Sequence, residues 1–308
     1  MDSNQDPNSE VEMLKKLGLD ENTYFLVDIG ANLGDKRYAR DLIGVVNRAK
    51  DCGIHKIMVT GTSAATSTES LRLSRLFPSY LYSTAGIHPH DAKTWDNTTE
   101  KLIRELAANE ECVAIGECGL DFNRNFSPPE TQLEVFEKQV QIACDLKKPL
   151  FVHERDASEK TVEILSKYSS RLPPTVIHCF TGTYDEAKKY IDMGLYIGLT
   201  GFLWKDKSDN GVRKILQDKL IPLDRLMVET DAPYMYPNAR ASKLPEKVKK
   251  VFTERSLSFL QRYCTFQRNE PCSLPITIEM IAGFMDLKPT DIALKTSFNA
   301  LKVFGLQS

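Results

Sequence analysis

Eight short runs of apolar and β-branched residues recur along this chain, and amphipathic segments separate them. Segments such as DLIGVVNRAKDCG and TQLEVFEKQVQIACDLKK repeat apolar residues at intervals of three and four, which is the helical period. Strands that alternate with helices predict parallel βαβ units, and eight such units favour a closed barrel. The first turn, DIGANLGD, lacks the glycine-rich phosphate turn typical of an open doubly wound sheet. We therefore predict an α/β protein with a single-domain (β/α)8 TIM barrel. The runs are YFLVDIG (24–30), HKIMVTG (55–61), LYSTAGIH (81–88), CVAIGE (112–117), PLFVH (149–153), TVIHCF (175–180), LYIGLTG (195–201) and RLMVETD (225–231).

The length and composition agree with one large intracellular domain. The chain has 308 residues, and we expect a flexible lead-in over 1–22 and the barrel over 23–308. A net charge of −2 gives the whole molecule no general attraction for nucleic acid. Seven cysteines without CxxC spacing indicate a reducing compartment, and no apolar run is long enough for a membrane span. We expect a cytoplasmic or nuclear protein, or one found in both compartments, that has no contact with a membrane.

Four potential metal ligands stand at the carboxyl ends of predicted strands. They are Glu117 in CVAIGECGLD, His153 in PLFVHERD, His178 in TVIHCF and Asp231 in RLMVETDAP. Active sites of (β/α)8 barrels are built on that face, so these side chains can converge despite their separation in sequence. Imidazole and carboxylate donors suit Mg²⁺, Mn²⁺ or Zn²⁺. Four of the five histidines fall in such strand-end motifs, which argues against chance placement.

Other polar residues near strand ends leave alternatives open. In GIHPHD, His88 is expected either to contact a phosphate and protonate a leaving group or to cap the loop, whereas loop capping is favoured for His90. Asp28 in VDIGANL joins the metal site or fixes a neighbouring loop, and Asn32 is a weak ligand at best. His55 opens the second strand at the opposite end of the barrel, where a structural role is expected.

At these residues the chain closely resembles the TatD family of metal-dependent deoxyribonucleases, which belong to the amidohydrolase-like (β/α)8 barrels. The matching stretches include DIGANL, STAGIHPHDA, VAIGECGLDFNRNFS, VHERDA, IHCFTGT and VETDAPY, and they follow the family's order. The resemblance implies a Mg²⁺-dependent nuclease with 3′→5′ exonuclease action on DNA, with RNA as a further substrate. It also implies that Glu117, His153, His178 and Asp231 are the metal ligands and that His88 lies near the substrate phosphate.

The chain departs from the family's pattern at two places. Many relatives begin with DxHxH, whose histidines help to hold one metal of a pair, but this chain has Gly30 and Asn32 at those positions. The number of bound ions, one or two, is therefore open. The strand-five motif carries Glu154 in place of a small residue, while Arg155 remains. Glu154 is expected to add a negative charge close to the metal.

Our mechanistic hypothesis assigns the principal metal to Glu117, His153 and His178. Asp231 would bind a second metal or act as base on the attacking water. Arg124 and Arg155 either meet phosphate oxygens through two-pronged contacts or form ordinary surface ion pairs.

Two roles are open for the aromatic and basic residues after the strand ends, one in substrate binding and one in structure. Phe122, Phe126, Trp204 and Tyr234 would stack on terminal bases or pack in the core. A basic lip would bind the nucleic-acid backbone, or be no more than a solvated loop, and its residues are Lys205, Lys207 and Arg213.

Two rival interpretations remain. One is a metal-dependent hydrolase of a small amide or ester on the same barrel, and the other is a non-catalytic barrel that binds partners. The expected partner is DNA, either single-stranded or at 3′ ends, with RNA as the alternative and with other nucleases acting in the same DNA degradation. We expect a monomer. A role in DNA repair or in apoptosis follows from the resemblance alone.

Overall fold

A computed structural model describes residues 24–306, so the predicted lead-in over 1–22 lies outside the described residues. The (β/α)8 barrel is confirmed: strands and helices alternate along the chain, and each of the eight predicted runs overlaps a strand. The strands are β1 Leu26–Ala31, β2 Ile54–Val59, β3 Leu81–Ala85, β4 Cys112–Asp121, β5 Leu150–Arg155, β6 Thr175–Ile177, β7 Tyr196–Leu199 and β8 Leu226–Val228. The α-helices are α1 Leu42–Asp51, α2 Ala64–Leu76, α3 Thr99–Ala107, α4 Pro129–Leu146, α5 Ser158–Lys167, α6 Tyr184–Asp192, α7 Val212–Gln217, α8 Glu246–Lys249, α9 Glu254–Tyr263, α10 Leu274–Met285 and α11 Pro289–Phe304.

The eight strands pair in parallel in the order β1 to β8, each with its neighbour in sequence. The segment after β8 returns to β1 and closes the ring. Ala31 bridges to Ala232, the Asp231 amide donates to the Gly30 carbonyl at 2.8 Å, and the Asn32 amide donates to the Ala232 carbonyl at 2.7 Å. Closure points the carboxyl ends of all strands toward one mouth, where the predicted ligands lie.

The predicted position of two ligands within their strands needs correction. Glu117 lies in the middle of β4 and His153 within β5, because the pairing of these two strands continues past both residues to Asp121 and Arg155. Gly119 makes this continuation sterically feasible. Its φ is +134°, and a Cβ there would lie 1.9 Å from the His153 carbonyl oxygen. The backbones of β4 and β5 therefore approach more closely than any side chain at 119 would allow.

The core has two parts, as a barrel wrapped by helices requires. Side chains of Val27, Ile29, Met58 and Phe151 fill the interior together with Val176 and Met227, and α11 contributes Val303 and Phe304 to this same cluster. A larger layer packs between the strands and the surrounding helices.

The predicted C-terminal helices are present and have different roles. Every residue of α10 is buried, which is typical of a helix enclosed on all sides. Helix α11 is tied to the start of β1, because Ser297 Oγ accepts from the Val27 amide at 3.1 Å and donates to the Phe25 carbonyl at 2.9 Å.

The seven cysteines are all free thiols. Among residues 24–306, no helix combines the length and the apolar character that crossing a bilayer requires.

Candidate metal centre

Three imidazole nitrogens surround one carboxylate oxygen at the mouth of the barrel. Glu117 Oε1 lies 2.8 Å from His178 Nε2, 3.0 Å from His153 Nδ1 and 3.2 Å from His88 Nε2. The side chains of Glu117 and His178 are buried, and the ligand atoms of His88, Glu117 and His153 all lie within 4.8 Å of one another. Each side chain comes from a different strand or from the segment that follows it, so barrel closure brings them together.

The electrostatics of this cluster favour an ionised carboxylate. Burial raises the pKa of Glu117, but the charges of His178 and His88 and the contact with His153 outweigh it and hold that pKa well below its usual range. Burial lowers the pKa of His178, yet the adjacent carboxylates of Glu117 and Glu229 raise it well above its ordinary value. The Glu117 carboxylate therefore stabilises a proton on His178, and a divalent cation would take the place of that proton, because a metal-ligating imidazole must be neutral.

One buried nitrogen fits a metal ion particularly well. His153 Nε2 is buried without a hydrogen-bond partner in the part of the chain that the structure describes. It lies 3.4 Å from Asp121 Oδ2, but that contact lacks hydrogen-bond geometry. Buried polar atoms normally have partners, so the residues present fit a divalent cation with nitrogen and oxygen ligands.

His88 and His90 both line this cavity, and the loop-capping role favoured for His90 stays a prediction. His88 caps the turn, because its Nδ1 accepts from the His90 amide at 3.1 Å. His88 Nε2 nevertheless faces Glu117, and His90 Nε2 lies 2.7 Å from Asp121 Oδ2. The rigid His-Pro-His turn thus directs both rings into the cavity.

Sequence reasoning missed two buried carboxylates of the site. Asp121 contacts His90 and also lies next to His153, and these contacts lower its pKa although burial acts in the opposite direction. Glu229 Oε1 accepts from the Cys179 amide at 2.5 Å, and its Oε2 lies 3.2 Å from His178 Nδ1. A sequence signal existed: residues at even spacing on a strand share a face, and Asp121 is four residues from Glu117.

Glu229 explains the departure at the first strand. A Cβ on Gly30 would lie 2.3 Å from Glu229 Oε2, and a Cβ on Gly198 would lie 2.6 Å from Glu229 Oε1. The carboxylate therefore occupies the space into which a side chain at position 30 would project. With Glu229 in place, a histidine at position 30 would not fit.

Asp231 lines the same cavity as Glu117 and His178. It lies outside the tight group of ligand atoms that His88, Glu117 and His153 form. Its Oδ1 accepts from Asn32 Nδ2 at 3.0 Å, and burial is the main cause that raises its pKa to about 7. Asn32 therefore orients Asp231.

Of the two roles open for Asp28, the structure supports loop fixation. The buried Asp28 accepts from the Thr230 amide and hydroxyl at 3.0 Å and 2.5 Å.

Glu154 lines the metal cavity beside His153. Its carboxylate accepts from the Ala157 amide at 2.9 Å and from the Tyr190 hydroxyl at 2.8 Å, so the residue before α5 and a residue of α6 fix its direction. Arg124 and Arg155 line the same cavity, and their side chains make no ion pair or hydrogen bond with other residues of 24–306.

One of the three residues of the predicted basic lip has a structural role. Arg213 donates to the carbonyls of Leu203 and Trp204 at 2.7 Å and to that of Lys243 at 3.1 Å, so it anchors the loop. Lys205 is exposed and lines a second cavity with Trp204. Lys207 is exposed.

The aromatic candidates divide in the same way. Phe122 packs against the core, whereas Phe126 and Tyr234 are 58% and 49% exposed at the mouth. His55 stacks on Phe25 with ring centroids 4.3 Å apart, in agreement with a structural role.

A parallel (β/α)8 barrel with a histidine and carboxylate cluster at the carboxyl ends of its strands defines a metal-dependent hydrolase. The TatD related DNase family matches residues 27–305, and the chain belongs to this family. It is therefore a nuclease that hydrolyses phosphodiester bonds.

Similar proteins agree with this membership. The chain is 39% identical over 281 residues to a 3′-5′ ssDNA/RNA exonuclease TatD of Erwinia billingiae, covering 91% of this chain and 99% of the relative. It is 40% identical over 281 residues to the protein of that name from Escherichia coli K12, covering 91% and 99%. The crystal structure of an uncharacterized amidohydrolase from Saccharomyces cerevisiae superposes with a TM-score of 0.79 at 22% identity, covering 91% of this chain and 100% of that one, which shows the shared fold.

Proposed function

We propose that this protein is a Mg²⁺-dependent exonuclease that removes nucleotides from the 3′ ends of single-stranded DNA and of RNA. The observation that carries the proposal is the convergence of three imidazole nitrogens on one buried Glu117 oxygen at the barrel mouth. The names of the relatives from Erwinia billingiae and Escherichia coli support the substrate and the direction.

The principal ion is assigned to Glu117, His153 and His178, and Asp231 to a second ion or to the base on the attacking water. A bound divalent cation lowers the pKa of water and neutralises charge on a phosphate oxygen. His88 Nε2, 3.2 Å from Glu117, is close enough to contribute a ligand or to contact the scissile phosphate. Imidazole donors also suit Mn²⁺ and Zn²⁺, so these ions are the alternatives to Mg²⁺, with one or two ions bound.

The chain's own residues supply phosphate binding and orientation. Arg124 and Arg155 line the metal cavity with guanidinium groups that are free to make two-pronged contacts with phosphate oxygens. Asn32 holds Asp231 at 3.0 Å, and Glu229 holds the second nitrogen of His178, so the reacting groups are oriented before substrate arrives. The seven free thiols support a reducing compartment, the cytoplasm or nucleus, and we assign the protein as a monomer.

A metal-resolved nuclease assay tests the proposal. Chelator-treated protein is supplied with Mg²⁺, Mn²⁺ or Zn²⁺ and with single-stranded DNA, duplex DNA or RNA that carries a label at either end. Stepwise shortening of 5′-labelled single strands and release of mononucleotides from 3′-labelled ones are expected. Products that shorten from the other end, or internal cuts alone, would contradict the 3′→5′ assignment.

A matched pair of histidine variants provides the control. His153→Asn removes a cluster nitrogen and is expected to abolish metal-dependent hydrolysis, whereas His55→Asn alters a ring at the opposite end of the barrel and keeps it. Turnover of a panel of small amides and esters, without nucleotide release, would favour the alternative hydrolase. If neither substrate class turns over and no ion binds, the barrel is non-catalytic.

A further inference from the structure

A second cavity opens beside the metal cavity and shares part of its wall. It measures about 550 Å³, and the two cavities share lining residues, among them Arg124, Arg155 and Thr181. Its far wall carries Trp204, Tyr236 and Phe266, which we call the aromatic shelf. The metal chemistry does not use these residues, so the cavity needs another explanation.

The aromatic shelf includes one ring that is largely exposed to solvent. Phe266 is 59% exposed, and its ring centroid lies 4.6 Å from that of Tyr236 and 5.9 Å from that of Trp204. Six large hydrophobic side chains are exposed among the described residues. Three of them are aromatic (Phe126, Tyr234 and Phe266), and all three lie around the barrel mouth, whereas the three aliphatic ones lie on the outer helices α1, α2 and α4.

The aromatic shelf is held in place from several sides. Trp204 Nε1 donates to the Tyr236 carbonyl at 2.8 Å, and Arg213 holds the Trp204 carbonyl at 2.7 Å. Phe266 sits in a tight turn in which the amides of Thr265 and Arg268 donate to each other's carbonyl oxygens at 2.9 Å and 3.2 Å. An exposed ring on a fixed turn loses little conformational entropy when it binds a ligand.

The cavity is lined by three basic and three acidic side chains, and they differ in how they are engaged. Arg124, Arg155 and Lys205 line it, and their side chains make no ion pair or hydrogen bond within residues 24–306.

The acidic lining residues of the cavity are engaged in internal hydrogen bonds. Glu186 Oε2 accepts from the Thr183 amide and hydroxyl at 2.7 Å and 2.9 Å, and Asp156 Oδ2 accepts from Asn123 Nδ2 at 2.7 Å. Glu154 is held by α5 and α6 as described above. The three basic side chains are therefore the charged groups of the cavity lining that are left free to contact a ligand.

We propose that this cavity is a binding subsite for one unpaired base of a single-stranded nucleic acid, which stacks on Phe266 while Arg124 and Arg155 bind the phosphates that lead to the metal centre. Stacking needs a base whose face is not covered by a duplex neighbour, so the subsite selects single-stranded ends. This proposal rests on the proposed function, because the strand that enters the subsite is the one whose 3′ end lies at the metal centre.

The experiment pairs the protein with abasic probes. Short single-stranded DNA is prepared with a tetrahydrofuran abasic residue at each of the positions nearest the 3′ end in turn. Binding is measured by fluorescence anisotropy with chelator-treated protein, and KM and kcat are measured with added Mg²⁺ or Mn²⁺. The variants are Phe266→Ala and, as matched control, Leu76→Ala, which removes a side chain of similar exposure (55%) on the outer helix α2.

For the wild type, we expect that one abasic position weakens binding and raises KM by roughly 5- to 150-fold, the range for one stacked base. In Phe266→Ala, the intact probe loses a similar factor, and the abasic substitution at that position costs nothing further. The Leu76→Ala protein should behave as wild type, and kcat for the single strand should be unaffected in both variants. Preference for single strands over a blunt duplex should fall in Phe266→Ala only.

The two proposals fail in distinguishable ways. If nucleotides are released and Phe266→Ala responds to every abasic position as the wild type does, the subsite is wrong and the exonuclease assignment stands. If one abasic position weakens binding to wild type but not to Phe266→Ala, and no ion supports hydrolysis, the subsite stands and the exonuclease assignment is wrong.

Discussion

Glu229 offers a sharp test of how the site is oriented, through the substitution Glu229→Gln. Both of its oxygens are in use, one accepting from the Cys179 amide at 2.5 Å and the other 3.2 Å from His178 Nδ1. When His178 Nε2 binds the ion, its Nδ1 carries a proton, and a glutamine oxygen can accept that proton only by giving up the Cys179 amide, so one of these contacts is lost. Glu229 is fully buried, so the unpaired groups gain no contact with solvent.

The expected effect is a loss of metal affinity with a modest loss of stability. Removing an outer partner of a metal-ligating histidine typically costs about 10- to 100-fold in metal affinity, which corresponds to about 1.4–2.8 kcal/mol. The unmade hydrogen bond adds about 1–3 kcal/mol of lost folding stability. Calorimetric titration of Mn²⁺ and Mg²⁺ into chelator-treated protein measures the affinity, and thermal unfolding in chelator measures the stability.

Glu279→Gln is the matched control. Glu279 is also fully buried, and it accepts from the hydroxyls of Tyr24, Thr253 and Ser256 at 2.7–3.0 Å within α10 and its neighbours. Both variants should unfold at lower temperature, but only Glu229→Gln should shift the metal Kd. An unchanged Kd in Glu229→Gln, with a lowered melting temperature, would refute the idea that Glu229 orients His178 for the ion.

Three further outcomes are expected. Burial raises the pKa of Asp28 from 3.8 to about 7, so the folded protein binds a proton that the unfolded chain releases. This contribution to stability is present below about pH 4 and is lost as pH rises through about 7. Asp28→Asn should therefore gain stability relative to wild type across that window in chelator, and plots of stability against pH that run parallel for the two proteins would contradict the raised pKa. Gly119→Ala places a Cβ 1.9 Å from the His153 carbonyl oxygen at a positive φ, so the pairing of β4 with β5 should be disrupted. The expected loss of stability is on the order of 3 kcal/mol or more, seen as a low melting temperature or as insoluble protein. A melting temperature equal to wild type would show that the strands can separate there. Chelation should lower the melting temperature, and saturating Mn²⁺ should restore it, because a hundredfold excess over Kd adds about 2.7 kcal/mol to the free energy of unfolding. A melting temperature that is insensitive to metal would argue against an ion site in the folded protein.

Much of the fold was predictable from the sequence because its signal is local. Each strand of a (β/α)8 barrel is buried on both faces and reads as an apolar run, and each helix shows one apolar stripe. The eight runs therefore correspond to β1 through β8, although β6 and β8 span only three residues each. The limits of β4 were less predictable, because its extension to Asp121 depends on the close approach of β5 at Gly119.

The site was predictable in part for a related reason. Parallel strands of a closed barrel present their carboxyl ends at one mouth, so Glu117, His153 and His178 meet whatever the chain does between them. Glu229 escaped notice because nothing in its neighbourhood of the sequence shows that Gly30 and Gly198, on other strands, leave room for its carboxylate.

The partners of other side chains were not predictable for the same reason. The sequence places Glu154 beside a predicted ligand, but it does not show that Tyr190 on α6 and the Ala157 amide before α5 hold its carboxylate. Arg213 follows the loop that carries Trp204, and only the folded loop shows that its guanidinium is used by backbone carbonyls. Residue order gives proximity along a strand, but it does not give the partner that fixes a side chain's orientation.

By itself the sequence determined the alternation of eight strands with helices and the placement of Glu117, His153 and His178 at the barrel mouth, because both follow from periodicity and from the parallel direction of neighbouring strands. Tertiary structure alone decided which donors face one another, that Glu229 occupies the space beside Gly30, and that Phe266 joins Trp204 next to the metal cavity. Those facts depend on contacts between residues far apart in the chain, and such contacts form only when the ring of strands closes.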